Sequence, residues 1–203
     1  MATHEVLNQS PPHTGGNAWR SDPLLVQITE SFPADVRNDL DQIGRFVLTA
    51  EAQETARLAN DCAPLLKTHD RQGRRVDQVE YHPAYHALMR RSASAGLHAS
   101  IWENTPSEKG IRHQARAARF FLIGQLEAGH LCPLTMTSAS LAPLMASPNL
   151  FREWAPRVTS RKYDSASKPP AAKAGLTLGM GMTEKQGGTD VRANTTRAEP
   201  AGK

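Results

Sequence analysis

A chain of 203 residues can bury a substantial core as one large or two small domains, and 39% hydrophobic with only 5% aromatic content leans towards helices packed by aliphatic side chains. A formal charge of +4 and a pI near 9.3 suit anionic partners in general, from nucleic acid to a CoA nucleotide or a flavin pyrophosphate, and choose among none of them. Two cysteines at unrelated positions, Cys62 and Cys132, exclude a disulfide framework and a cysteine zinc site and point to a reducing cytoplasm. The start lacks a basic region leading into an apolar run, and no stretch has bilayer-spanning apolar length, so neither secretion nor membrane insertion is expected.

Residues 1–30 combine Pro11, Pro12, Gly15 and Gly16 with little periodicity and read as an extended arm lying on something larger. From Pro33, the apolar positions Val36, Leu40, Ile43, Val47 and Ala50 recur at helical spacing, predicting one helix through about Leu58. Pro64 and a polar stretch from Lys67 to Asp77 break the pattern. A second helix starts at His82-Pro83, with Tyr85, Leu88, Met89 and Trp102 inward. Thr105, Pro106 and Glu108 spell a capping box for a third helix reaching about Glu127, its core side lined by Ile111, Ala115, Ala118, Phe121, Leu122 and Leu126, with Gly129 as its stop. A fourth helical stretch runs from about Leu134 and ends by Pro148.

After the Ser, Pro and Lys-rich linker 164–174, the texture changes to an alternation of Leu176, Leu178, Met180 and Met182, a strand signature, and a second strand is plausible around Asn194 to Arg197. The chain is therefore expected to be mainly α: an arm (1–30), a helical domain (31–163), a linker (164–174) and the opening of a β domain (175–203). A two-stranded ribbon alone is marginal in water, so the rest of that β domain is expected beyond Lys203.

The segment Gly181 to Ala193 carries the chemistry. A strand ends in a hydroxyl at Thr183, the pair Gly187-Gly188 lets backbone N–H groups approach an anion, and a second hydroxyl and an acid follow at Thr189 and Asp190. Spacing alone leaves a phosphate cradle and a plain hairpin with a Gly-Gly turn about equally good. These thirteen positions resemble the acyl-CoA dehydrogenase signature: small, aliphatic, Ser/Thr, Glu, two variable, Gly, Gly, Ser/Thr, Asp, two variable, small. Arg75 to Val79, His82 to His86, the run GQLEAGHLCPLTMT and the run GMGMTEKQGGTDVRANTTRA resemble, more narrowly, the adaptive-response flavoproteins of the AidB type.

That resemblance implies the fold given above, a helical domain of the acyl-CoA dehydrogenase type followed by the first strands of a flavin domain. It implies FAD held along Met180, Gly181, Met182, Thr183, Glu184, Lys185, Gln186, Gly187, Gly188 and Thr189, with Met182 and Thr183 against the isoalloxazine and Gly188 and Thr189 on the pyrophosphate. It implies α,β-dehydrogenation of acyl-CoA thioesters, a chemistry the flavin carries and the protein positions. The carboxylate base of that reaction falls in the family outside the matched residues, so no catalytic residue is expected in this chain. With most cofactor contacts outside it as well, the chain alone is expected to hold FAD weakly or not at all. The family further implies a homotetramer and a link to DNA alkylation damage, with double-stranded DNA bound mostly by a carboxy-terminal helical domain. Thr135, Met136 and Thr137 would lie near the acyl chain.

Other motifs carry less. His82 and His86 have a metal-ligand spacing without a third ligand, and no metal is expected. Arg112, Arg116 and Arg119 form a stripe that could meet phosphates but reads better as a solvated face. Ser165 and Lys168 match a serine-acylase pattern by chance, and Glu127 fits an ion pair or a helix end better than a general base. Besides the flavoenzyme reading stand two others: a DNA-protecting protein built on a flavin scaffold, and an inert helical fragment.

Overall fold

The computed structural model describes residues 3–201, so residues 202–203, the end of the predicted 175–203 unit, lie outside the described residues. Its architecture is helical, with seven α-helices and one two-stranded sheet among those residues.

The amino-terminal arm is docked onto the bundle. Asn17 is buried, its amide donating to the backbone and carboxylate of Asp41 at 3.1 and 3.0 Å and its oxygen accepting from Trp19 N. This close approach requires Gly44 opposite, because a Cβ there would collide with Asn17 Oδ1. The arm, expected to be extended, also carries a short helix, α1 (Pro23–Thr29), which Asp22 caps by accepting from Leu25 N at 2.9 Å. Trp19 is buried against it and donates to Thr29 Oγ1 at 2.9 Å.

The predicted first helix is two. α2 (Ala34–Val47) buries Val36, Leu40, Ile43 and Val47 as the spacing requires. It then stops, because the Leu48 carbonyl turns to accept from Gly15 N at 2.8 Å and the Thr49 hydroxyl accepts from Ala52 N to start α3 (Ala50–Asp61). The polar stretch that follows is not merely a break. It forms an antiparallel hairpin of β1 (Leu65–His69) and β2 (Arg75–Glu80), with Leu65 opposite Glu80 and Leu66 opposite Val79, turning at Gly73 with φ 78°. All eleven of its strand residues are exposed.

α4 (Pro83–Ser94) begins where expected and buries Leu88 and Met89, whereas Trp102 lies beyond it in the turns that follow and donates to Ser138 O at 2.9 Å. The capping box does not form. Thr105 makes no side-chain cap, Pro106–Glu108 is a single 3₁₀ turn, and α5 (Arg112–Leu126) starts only after Gly110. Glu108 is drawn instead into the interior by Arg119. On α5 the buried residues are Ala115, Ala118, Arg119, Leu122 and Ile123; Phe121 is half exposed, one position out of the stripe.

α5 gives way at Glu127, two residues before the predicted stop at Gly129, and the Glu127 carboxylate accepts from the N–H groups of Gly129 and His130 at the entry to α6 (Leu131–Leu144). Pro148 opens a further helix, α7 (Pro148–Val158), where a helix end was expected; proline in a first turn lacks only an N–H that has no helical partner anyway. Packing pairs α2 with α5, α3 with α4 and α6 with α7 around a core that includes Leu40, Ile43, Leu97, Leu122 and Ile123. The predicted strands after the linker run extended, without ladder partners among the described residues; an extended segment becomes a strand only when a neighbour accepts its hydrogen bonds. Among the described residues, no helix is long and apolar enough to cross a membrane.

Candidate functional site

The extended segment is fastened to the bundle just before the predicted cofactor loop. Gly175 is buried so closely against Lys162 that a Cβ would strike its carbonyl oxygen. Leu176 N donates to Arg157 O at 3.0 Å, and Leu178 N donates to Thr137 Oγ1 at 3.0 Å. Beyond Leu178 the hydrogen bonds of the described residues are internal to the loop.

Glu184 is the hub of that internal set. Its carboxylate accepts from the N–H groups of Thr195 and Thr196 at 2.8 and 2.5 Å, from the Thr196 hydroxyl at 2.5 Å and from the Gln186 amide. Hydrogen bonding from the Thr196 hydroxyl, then from the Thr195 and Thr196 backbone, holds the Glu184 pKa down at about 2. Glu184 and Gly187 also exchange two backbone hydrogen bonds around a tight turn at Lys185-Gln186, so the turn is not at Gly187-Gly188. Asn194 donates to Met182 O at 2.8 Å and closes the loop a second time.

Of the ten predicted cofactor residues, four lie together. Gln186, Gly187, Gly188 and Thr189 share a concavity of about 290 Å³ with Asp190 and Asn194. Met180 and Met182 are exposed outside it, Gly181 faces open space, and Thr183 packs against Gly188, where a Cβ would collide with its methyl. Gly188, which has no room for a Cβ, and Thr189 thus border this concavity, and backbone so bare lets N–H groups approach an anion.

A larger pocket of about 440 Å³ opens where the loop root meets the bundle, lined among others by Tyr85, His86, Met136, Tyr163, Leu178 and Gly179. Burial pushes the Tyr163 phenol up and, with Arg90 nearby, the His86 imidazole down, so a protonated Tyr163 faces a neutral His86 across 3.0 Å from OH to Nδ1. Tyr81 stacks on Tyr85 with ring centroids 4.3 Å apart. Sequence reasoning missed Tyr163 as a pocket residue, since it meets His86 across 77 positions and no local pattern marks it. Of the three residues expected near an acyl chain, Met136 lines the pocket, Thr135 is exposed elsewhere, and Thr137 is wholly buried.

The remaining motifs resolve into structure. His82 caps α4, its Nδ1 accepting from Ala84 N, and no cluster of metal-ligating side chains occurs among the described residues. The arginine stripe is not a solvated face: Arg119 is buried between Asp39 (2.5 Å) and Glu108 (2.7 Å), Arg116 donates to Leu97 O and stacks on Phe120, and Arg112 donates to Asn104. Glu127 sits at a helix end as expected, in a buried chain in which His130 bonds Glu127 through Nδ1 and Ser92 through Nε2. Lys168 pairs with Asp164 at 2.8 Å rather than with Ser165.

Residues 8–165 match the family described as the adaptive response protein AidB N-terminal domain. The chain belongs to that family. It is 45% identical to the putative acyl-CoA dehydrogenase AidB of Escherichia coli (strain K12) over 199 residues, covering 97% of this chain and 36% of the relative. It is 29% identical over 180 residues to acyl-CoA dehydrogenase family member 11 of Caenorhabditis elegans, covering 86% of this chain and 28% of the relative. Two solved structures share the fold. Bd2924 in its apo form has a TM-score of 0.76 at 26% identity, over 94% of this chain and 37% of that one. Caenorhabditis elegans ACDH-11 in complex with C11-CoA has a TM-score of 0.74 at 25% identity, over 97% of this chain and 33% of that one. The chain thus corresponds to an amino-terminal portion and spans about a third of the length of the curated relatives it matches.

Proposed function

We propose that this chain supplies one wall of an FAD site and the adjoining acyl-facing pocket of an acyl-CoA dehydrogenase-type oxidoreductase. One observation carries the reading: the thirteen-position loop is rooted at Leu178, which also lines the 440 Å³ pocket, so cofactor loop and pocket share a border. Gly187, Gly188 and Thr189 would hold the pyrophosphate; Met182 and Thr183 would face the isoalloxazine. A bound flavin supplies the acceptor for the hydride leaving the acyl β-carbon. Acyl-CoA as the substrate class is supported by the C11-CoA in the ACDH-11 structure. Two free cysteines accord with a cytoplasmic setting. Duplex DNA is the weaker partner, because the basic stripe that could have met phosphates is engaged inside the protein.

Titrating FAD into the 203-residue chain and following flavin fluorescence tests this. Because only part of the contacts that offset immobilisation of a large ligand are in this portion, saturable binding is expected with Kd on the order of 0.1 mM. It should be lost in Gly188→Val, whose side chain would displace Thr183. Indistinguishable, non-saturating curves for both proteins would overturn the reading.

A further inference from the structure

We infer that Thr137 is a positioning residue that sets where the 179–193 loop stands relative to the pocket; its consequence for FAD rests on the flavin reading above. Thr137 is fully buried on α6, so it touches no ligand, and its hydroxyl is used twice. It donates to Pro133 O at 2.7 Å, one turn back on its own helix, and accepts from Leu178 N at 3.0 Å. The first bond orients the hydroxyl so that a lone pair faces the extended segment; the second fixes the register of that segment.

The position of this bond in the chain gives it its importance. Among the described residues, Gly175, Leu176 and Leu178 are the successive points where the segment meets the bundle, and after Leu178 no hydrogen bond returns to the helices. Side chains alternate along an extended segment, so the register at Leu178 also decides which way Met180, Met182 and the approach to Thr183 present themselves. Met136, the neighbour of Thr137 on α6, lines the pocket, so one helical turn carries both the pocket wall and the loop's last anchor. A slip of one residue here would invert the loop's presentation while leaving Glu184 and its internal partners intact.

The test compares the chain with Thr137→Val, which keeps the shape and removes the hydroxyl, and Thr137→Ser, which restores the hydroxyl. Amide exchange and N–H correlation spectra report on the anchor, and FAD fluorescence titration reports on the site. In Thr137→Val the Leu178 amide should exchange at least about tenfold faster, as loss of a roughly 1.4 kcal/mol bond implies. The resonances of Gly179 and Gly181 should move, and FAD affinity should fall about fivefold or more, while core amides on α5 stay as protected as before. Thr137→Ser should resemble the parent in all of these. An unchanged Leu178 amide in Thr137→Val overturns the anchor itself. A released Leu178 with equal FAD affinity in all three proteins overturns the positioning role. No FAD binding by the parent would sink the flavin reading alone, and the anchor would then stand or fall on Leu178, Gly179 and Gly181.

Discussion

Arg119 in the bundle and Glu184 in the loop are both charged hubs, yet they hold their surroundings in opposite ways. Arg119 joins α5 to Asp39 on α2 and to Glu108 on the 3₁₀ turn, and it and Glu108 are both buried, so a single side chain couples three elements of the interior. Glu184 gathers Gln186, Thr195 and Thr196, all within the same surface loop, and couples the loop only to itself. A charge that ties distant elements inside the protein is part of the fold's stability. A charge that organises a surface loop gives that loop a shape and leaves global stability almost untouched.

The largest expected effect tests the first half of this contrast. Arg119→Leu strands the Glu108 carboxylate in the interior, and removing one partner of a buried ion pair costs about 3–5 kcal/mol. Urea unfolding should show that loss, and a loss below about 1 kcal/mol would mean that Glu108 finds water or another donor.

The next effect is a pH dependence of the bundle. Burial depresses the pKa of both His98 and His130, with the Glu127 hydrogen bond only partly opposing it at His130. The folded state therefore takes up protons less readily than the unfolded one, whose histidines titrate near about 6.5. Their contribution is complete above that pH and is lost progressively as the pH falls below it. The urea midpoint should decline between pH 7 and pH 5, and the slope should flatten when His98 and His130 are both replaced by Gln. An equally steep decline in that double variant would assign the effect elsewhere.

The smallest effect belongs to the loop. Glu184→Gln should alter the amide resonances of Thr195 and Thr196, yet shift unfolding free energy by no more than about 0.5 kcal/mol, the range for surface changes away from packed features. A drop of several kcal/mol would show that the loop is integrated into the fold, and the contrast between the two hubs would collapse.

Local signals in the sequence were readable where one residue's neighbours in sequence are also its neighbours in space. The stripe Val36, Leu40, Ile43, Val47 and the start of α4 at Pro83 are of this kind. The readings that failed were those in which a distant group outbid a local one. Glu108 satisfied a capping pattern on paper, but Arg119, eleven positions on, claimed its carboxylate. The Leu48 carbonyl would have continued a helix had Gly15 not taken it. The hairpin was missed because both of its faces are exposed, so its strands carry no clear alternation between polar and apolar residues. At the candidate site, the loop residues stood out through glycine and hydroxyl spacing, whereas Tyr163 gave no sign and Thr137 was marked only by resemblance and for a different role, since their partners lie 77 and 41 positions away.

The anchoring at Gly175, Leu176 and Leu178 makes the segment beyond it a cantilever. From Leu178 to Thr183, five residues of extended chain reach at most roughly 16 Å, so a tilt of about 10° at the root sweeps the far end through roughly 3 Å. Small changes in the helices that clamp the root, far from any ligand, are thereby magnified at the tip. Substitutions on α6 or at the end of α7 can consequently retune what the loop grips without altering a single residue of the loop itself.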